Sequence, residues 1–401
     1  MTIFRYSGRT KTGAPKKGII EAPNKKVAME KLRAQGINAR ELQESNSILH
    51  KDIAFGTKVK HQEFVIYCRQ YATLIRAGVP VVEATHILGE QTRSKPLKRA
   101  LMQVEEDIRN GMAFSDAAGK HPKVFPLLFV NMMRASEATG NVDDTLDRLA
   151  STLEKQYNIK KKIQSAMTYP AILSLLTLVV GMFLMVFIVP TFMDAFKEMN
   201  LEMPLITVIV VGISDWLIQF WYLVILGLLV LVVGLHYFYK NNKEFHYAVN
   251  VFLLRMPIFG QLLQKDIIAR MTRTLSTLFS SSVPILQALT IVEKVGGNPV
   301  MGKVVLEARD NLEKGGTLSE PLEKSWLFPP LVTQMTSIGE KTGSLDYMLE
   351  KIADFYEEEV NRAVDTMKSL IEPLMIVVLA LVVGVIVAAI FLPMFQLYEN
   401  M

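Results

Sequence analysis

The chain has 401 residues, 50% of them hydrophobic and 21% charged, which excludes a disordered tail or a fibrous repeat. A mean hydropathy of +0.25 beside 44 basic and 39 acidic residues requires the apolar residues to be segregated, and segregation on that scale points to a membrane. The single cysteine, Cys68, excludes an intrachain disulfide and any multi-cysteine metal site, and the histidines have no ligand-like spacing, so no metal or other cofactor is expected.

The net charge of +5 is concentrated at one end, because residues 1 to 60 hold 13 Lys/Arg against 5 Asp/Glu. Such a segment suits anionic membrane lipids or an acidic partner, and is equally consistent with a solvated surface. No groove-reading or aromatic-interleaved motif supports direct nucleic-acid binding. Alternation at Ile3 to Tyr6, a turn at Lys11-Thr12-Gly13, a second strand at Gly18 to Glu21, a helix from Lys25 to Gln35 stopped by Gly36, and a third strand near Ile37 to Leu42 predict a small α/β segment over residues 1–45. Residues 46–60 read as a linker. Residues 1 to 20 hold no apolar stretch, so no cleavable signal peptide is expected.

From residue 61 the periodicity becomes helical. Phe64, Tyr67, Cys68, Tyr71, Leu74 and Ile75 form one apolar stripe, and Gly78-Val79-Pro80 stops that helix and starts another. A first cytoplasmic helical domain is predicted over 61–168, followed by a membrane span at 169–190, an extracytoplasmic loop at 191–219 and a second span at 220–239. A second cytoplasmic helical domain covers 240–372, a third span 373–394, and an extracytoplasmic tail 395–401. Lysines flank the cytoplasmic ends of the spans, whereas the loop is acidic, which places the N-terminus and both helical domains inside.

The chain repeats itself. Residues 64 to 192 reappear at 268 to 395, first at an offset of 204 (Arg69/Arg273, Val79-Pro80/Val283-Pro284, Gly111/Gly315, Ser115/Ser319) and then at 203 (Glu137/Glu340, Gly140/Gly343, Pro170/Pro373, Pro190/Pro393). Each copy is a helical domain followed by one span. Duplicating an odd-span unit would strand the second domain outside, and the unmatched middle span restores it.

Among motifs, Gly297-x-x-x-x-Gly302-Lys303 misses the hydroxyl of a phosphate-binding loop at Val304 and reads as an interhelical loop. No catalytic constellation is present, so no enzyme activity is expected. Glu137-x-x-Gly140 and Glu340-x-x-Gly343 encode helix corners, with Asn141 and Ser344 as N-cap candidates. The glutamates, in a last helical turn where negative charge is disfavoured, are expected either in a salt bridge or in a partner-facing or interdomain contact. Asp143, Asp144 and Asp147 are expected to share a solvated face, with cation binding as the alternative. Ala380, Gly384 and Ala388 line one face of the third span and would let another backbone, of the first span or of a second subunit, approach closely, with Gly227 and Gly234 a weaker case.

Two tandem helical domains, each opening on a turn of the type Gly78-Val79-Pro80 (Pro284 in the second copy), carrying the Glu-x-x-Gly corner and ending in a proline-flanked span, resemble the type II secretion system F family. These are inner-membrane platform proteins of type IV pili and type II secretion. Two positions depart from the pattern: Ser282 replaces the turn glycine, and Ser136 precedes Glu137 where the second copy has Gly339. The resemblance implies a mainly α, polytopic protein of the cytoplasmic membrane that couples a cytoplasmic hexameric assembly ATPase to insertion or extraction of pilin or pseudopilin subunits. It also implies contacts with other inner-membrane assembly proteins and a homo-oligomer. The alternatives are a small-molecule transporter, disfavoured by spans without ionisable or broken midplane positions, and a signal-transducing membrane protein, disfavoured by the short outside loop.

Overall fold

A computed structural model describes residues 2–10, 15–22, 24–34, 37–44, 59–192, 204–257 and 259–399, in two units divided near residue 57. The predicted turn at Lys11-Thr12-Gly13, Gly36 and nearly all of the linker lie outside the described residues.

In the N-terminal unit, β1 (Thr2–Thr10) is flanked by β2 (Pro15–Ala22) and β3 (Ile37–Glu44) in an antiparallel sheet of order β2-β1-β3. Alternation along β1 puts Phe4 and Tyr6 on one face, where they are buried with Ala28 and Leu32 of α1 (Lys25–Ala34).

The second unit is helical, and its duplication is visible element by element. The first copy runs α2 (His61–Arg76), α3 (Val81–Gln91), α4 (Lys95–Arg109), α5 (Phe114–Gly119), α6 (Leu127–Thr139) and α7 (Val142–Phe183). A helix with no counterpart, α8 (Leu205–Asn241), and a short one, α9 (Lys243–Arg255), follow. The second copy then runs α10 (Phe259–Ser280), α11 (Ile285–Val295), α12 (Pro299–Glu313), α13 (Ser319–Lys324), α14 (Pro330–Thr342) and α15 (Leu345–Glu399). The same positions fill both cores with different chemistry. Phe64, Tyr67, Tyr71, Phe114 and Phe129 stack in the first, and Ile268, Met271, Leu275, Leu318 and Val332 replace them in the second.

Among the described residues, three helices are long and apolar enough to cross a membrane. Pro170 and Pro373 lie inside α7 and α15 rather than ending them, so each helix continues from its domain into its span. Three features differ from the sequence expectation. Residues 205–219, read as loop, belong to α8, which kinks at Phe220; Thr207 donates to the Ala389 carbonyl (2.7 Å) and Ser214 to that of Met185, and these bonds to the ends of the other spans give the segment its helical seat. The first span is also not uniformly α-helical, since Leu184–Ile188 form a π turn, whose loosened carbonyls leave Met185 able to accept from Ser214. The expected tail from 395 is helical through Glu399.

The turn after α2 needs a left-handed residue, supplied by Gly78 (φ 83°); after α10 it is Ser282 (φ 60°), the one non-glycine with positive φ among the described residues. Left-handed backbone costs an L-residue about 1–2 kcal/mol, partly offset because serine restricts the unfolded chain. Ser282→Gly is therefore expected to stabilise the second domain by up to about 1 kcal/mol. A raised thermal unfolding midpoint in detergent would verify it, and a lowered one would show that the serine hydroxyl contributes more than its backbone strain costs.

Candidate functional site

The two corners reverse the chain through Gly140 (φ 76°) and Gly343 (φ 71°), each ending a helix of the domain and admitting the long helix that enters the membrane. Asp143 and Asp346 sit in the first turns of α7 and α15, where the helix dipole favours an acid. The predicted cap at Asn141 makes no side-chain bond to α7, and the Ser344 hydroxyl instead shares a hydrogen bond with Thr342 (2.6 Å).

The corner glutamates do something the sequence reading did not include. Glu137 accepts from the backbone N–H of Ser115 (3.1 Å) and from the Ser115 hydroxyl. Glu340 accepts from the N–H groups of Leu318 and Ser319 (3.0 Å for the latter) and from the Ser319 hydroxyl (2.7 Å). These donors open α5 and α13, whose first N–H groups have no partner within the helix and whose dipole favours an anion. Each glutamate thus fastens a six-residue helix to the corner. These bonds are not the expected salt bridge, since their donors are backbone N–H groups and serine hydroxyls. Ser115 and Ser319 were visible as a repeat match, but nothing in a single sequence joins them to carboxylates about 20 positions away.

The departure at Ser136 has a steric basis. A Cβ on Gly339 would lie 2.9 Å from the Leu345 Cα and 3.1 Å from the Met348 Cβ, so α14 and α15 approach too closely for a side chain. In the first copy Ser136 is buried and donates to the Met133 carbonyl (2.9 Å).

A second constellation ties the first helix of each domain to its long helix. Arg69 of α2 grips Glu154 of α7 bidentately (2.7 and 2.5 Å) and Asp147 (2.8 Å); Arg273 of α10 grips Glu357 of α15 (2.7 and 2.8 Å) and also binds Asp354. Such forks are strong and directional. Asp147 also binds Arg76 (2.9 Å), so it serves an ion pair rather than a shared acidic face with Asp143 and Asp144. Among the described residues no three His, Cys, Asp or Glu converge as a metal site.

The long helices pack against each other in parallel. Lys155 reaches Asp354 (3.3 Å) and Glu357 (3.2 Å), Lys162 reaches Asp365 (3.0 Å), and below them Ala166 is buried with Val360, Val364 and Met367. Burial alone would raise the Asp354 carboxyl, but its bonds to Arg273 outweigh that and hold it below the usual range. A depressed carboxylate stabilises the fold above its unfolded value and is lost only as pH falls through the folded one, so this seam stays charged at neutral pH.

Within the spans, the seam is not the one the small residues suggested. A Cβ on Gly181 would meet Val382 at 3.5 Å, and Ile386, Ala389 and Ile390 are buried against Val189, Val210 and Val211. Ala380 and Gly384 are exposed, and nothing lies within 4 Å of a Cβ at Gly384, Gly227 or Gly234. Branched Val382 and Ile386 fill the seam, so the stripe of Ala380, Gly384 and Ala388 does not serve contact between spans of one chain. The loop Gly297-Asn298 joins two helices, and its Asn298 side chain caps α12 through the N–H of Val300 (2.9 Å).

Removing either corner carboxylate leaves backbone donors without an acceptor. Glu137→Ala and Glu340→Ala are each expected to cost about 2 kcal/mol, the range for hydrogen bonds to a charged group, and to lower membrane abundance and the unfolding midpoint. Unchanged midpoints would remove the glutamates from the fold and return them to a surface role.

This architecture matches known proteins throughout. A family model described as type II secretion system protein F matches residues 67–190 and again 271–393, the two copies, and one for the N-terminal domain of that protein matches residues 1–43. The chain is 38% identical over 99% of its length to a type IV pilus assembly protein PilC from Thermus thermophilus, covering 98% of that protein. It is 36% identical over 98% of its length to PilC of Myxococcus xanthus (94% covered), and 29% identical over its full length to a type II secretion system protein F from Pseudomonas aeruginosa (99% covered). With both copies, the N-terminal unit and full-length relatives accounted for, the chain belongs to the type II secretion system protein F family.

Proposed function

We propose that the protein is the inner-membrane platform of a type IV pilus or type II secretion machine, in which a cytoplasmic hexameric ATPase engages the helical domains and the spans act on pilin or pseudopilin subunits. The observation that carries this reading is mechanical. α15 is one helix of 55 residues, about 80 Å long at 1.5 Å per residue, running from the Gly343 corner through the third span, and α7 does the same for the first copy. A displacement received at the corner reaches the bilayer through backbone hydrogen bonds rather than through a hinge. The Arg69 and Arg273 forks join each rod to the rest of its domain. The protein acts as a transmitter and leaves hydrolysis to its partner.

The rod is tested by softening it at exposed positions. Lys368, Leu370 and Glu372 are exposed between the second domain and the third span. Replacing all three by glycine weakens the helix by about 1 kcal/mol per position, while replacing all three by alanine keeps it stiff. The glycine variant should reach the membrane at normal abundance and fail to assemble filaments or secrete, and the alanine variant should function. A fully active glycine variant would sink the transmitter reading.

The topology in this proposal places the N-terminus and both helical domains in the cytoplasm. A reporter active only there should work when fused after Lys243 or Lys314 and be silent near Met199.

A further inference from the structure

The second copy carries an apolar surface at the base of its domain. α9 leaves Phe252 67% exposed with Leu253 open beside it, and the first turns of α10 leave Phe259 and Leu263 exposed. Trp326, 48% exposed, joins this group. The Arg255 guanidinium of α9 lies over its ring at 5.4 Å, and the carbonyl of its neighbour Leu327 accepts from Gln264 of α10 (2.6 Å). Large apolar side chains gathered uncovered on a folded domain mark a place where another surface is met.

Packing against α15 fixes the depth of this surface. α10 runs antiparallel to α15, since Arg273 meets Glu357 while Leu262 is buried with Val364 and Met367. Ile371 packs on the same cluster, one residue before Glu372, the last charge on α15 ahead of the uncharged stretch 373–398. Phe259 precedes Leu262 by three residues, so it lies about 5 Å further toward that stretch. The start of α10 is therefore level with the near end of the third span. At its other end α9 follows α8 with only Asn242 between them, directly after the exposed rings of Tyr237, Phe238 and Tyr239, which favour a membrane boundary. Asn250, in the middle of α9, donates to the Tyr239 hydroxyl (3.4 Å), so α9 folds back across the end of α8 instead of continuing its line. Its 13 residues thus run along the bilayer surface rather than away from it.

The charges along this stretch are mostly of one sign. Lys240, Lys243 and Arg255 are exposed within residues 240–255, against Glu244 alone. A helix with exposed aromatic and aliphatic side chains bordered by lysine and arginine suits the boundary between headgroups and acyl chains. The first copy is built differently at the same place. α2 begins at His61, the equivalent of Lys265, so the turns that hold Phe259 and Leu263 have no helical counterpart there. At the offset of 203, Trp326 corresponds to exposed Lys123.

We infer that α9, the start of α10 and Trp326 form a foot by which the second domain rests on the membrane surface. Its apolar side chains enter the leaflet from which α8 emerges, and its basic residues meet anionic headgroups. The foot is a different surface from the basic N-terminal segment, and it holds whichever protein engages the helical domains. Asn250 carries its position into the domain, because it also accepts from Asn298, the cap of α12 (3.1 Å). The second domain is then mounted on the bilayer at two places, its long helix and its foot, whereas the first has a lysine at the position of the tryptophan.

The test uses the full-length protein in vesicles of phosphatidylcholine with phosphatidylglycerol, where Trp216→Phe and Trp221→Phe leave Trp326 as the one tryptophan. Its fluorescence should be quenched several-fold more by lipids carrying a nitroxide near the headgroup than by acrylamide in the water. Phe252→Asp, at a position too open to be needed for folding, should lower the lipid quenching. Omitting phosphatidylglycerol should lower it too, as should Lys240→Gln with Lys243→Gln. In a protein that also carries Trp326→Phe, a Lys123→Trp reporter should be quenched mainly by acrylamide. A Trp326 quenched by acrylamide alone, or shielded from both quenchers, would overturn the inference. Equal lipid quenching at the two reporter positions would overturn the contrast between the copies, and equal quenching with and without phosphatidylglycerol would remove anionic headgroups from the foot.

Discussion

The parallel contact between α7 and α15 sets the geometry on which the other elements depend. Two helices that must cross a bilayer need every backbone N–H and C=O satisfied within themselves, so neither can bend sharply there. Once they are straight and side by side, the position of each domain follows from the corner at which its helix begins. The corners are therefore the points of control. Each is built from a left-handed glycine that reverses the chain and a glutamate that seats a short helix against the turn.

Duplication supplied two such units, and divergence then distributed their tasks. The aromatic core of the first copy and the aliphatic core of the second occupy the same positions, so the shape was retained while the packing chemistry changed. At Gly339 the second copy brings two helices closer than the first, and at Ser282 it tolerates a strained residue that the first avoids. The burial of Arg273 beneath the first copy's long helix, against the open setting of Arg69, records which copy is covered and which covers. α8, which has no counterpart in the duplication, braces the other two apolar helices through Thr207 and Ser214.

The features written in spacing were legible in the sequence: the duplication, the apolar windows, the three-stranded unit with its helix, and the glycine corners. Each depends on residues close along the chain or repeated at a fixed interval. The partners of Glu137 and Glu340 were not legible, because a carboxylate can satisfy its charge with any nearby donor and helix N-termini carry no distinguishing residue type. The helical character of residues 205–219 was hidden by their polar surroundings, since Asp215 and the acidic residues before Pro204 read as loop while Val210 and Val211 turn into the seam. The small-residue stripe misled for a related reason. Gly181 and Gly384 are equivalent in sequence, and only the side on which the two long helices meet decides which is filled.

The in-register pairing of α7 with α15 has an evolutionary corollary. A residue inserted into one of these helices between its corner and its span would rotate everything beyond it by about 100° and advance it by about 1.5 Å, breaking the match of Lys155, Lys162 and Gly181 with their partners. Length changes in the paired stretch are thus tolerated only when both copies change together, or by whole turns. The one difference in length between the copies, where the offset passes from 204 to 203, falls between Ser115 and Phe125, in the connection leading from α5 to α6. The two halves are free to drift apart in composition and in loop length, while along the rods they are obliged to evolve as one object.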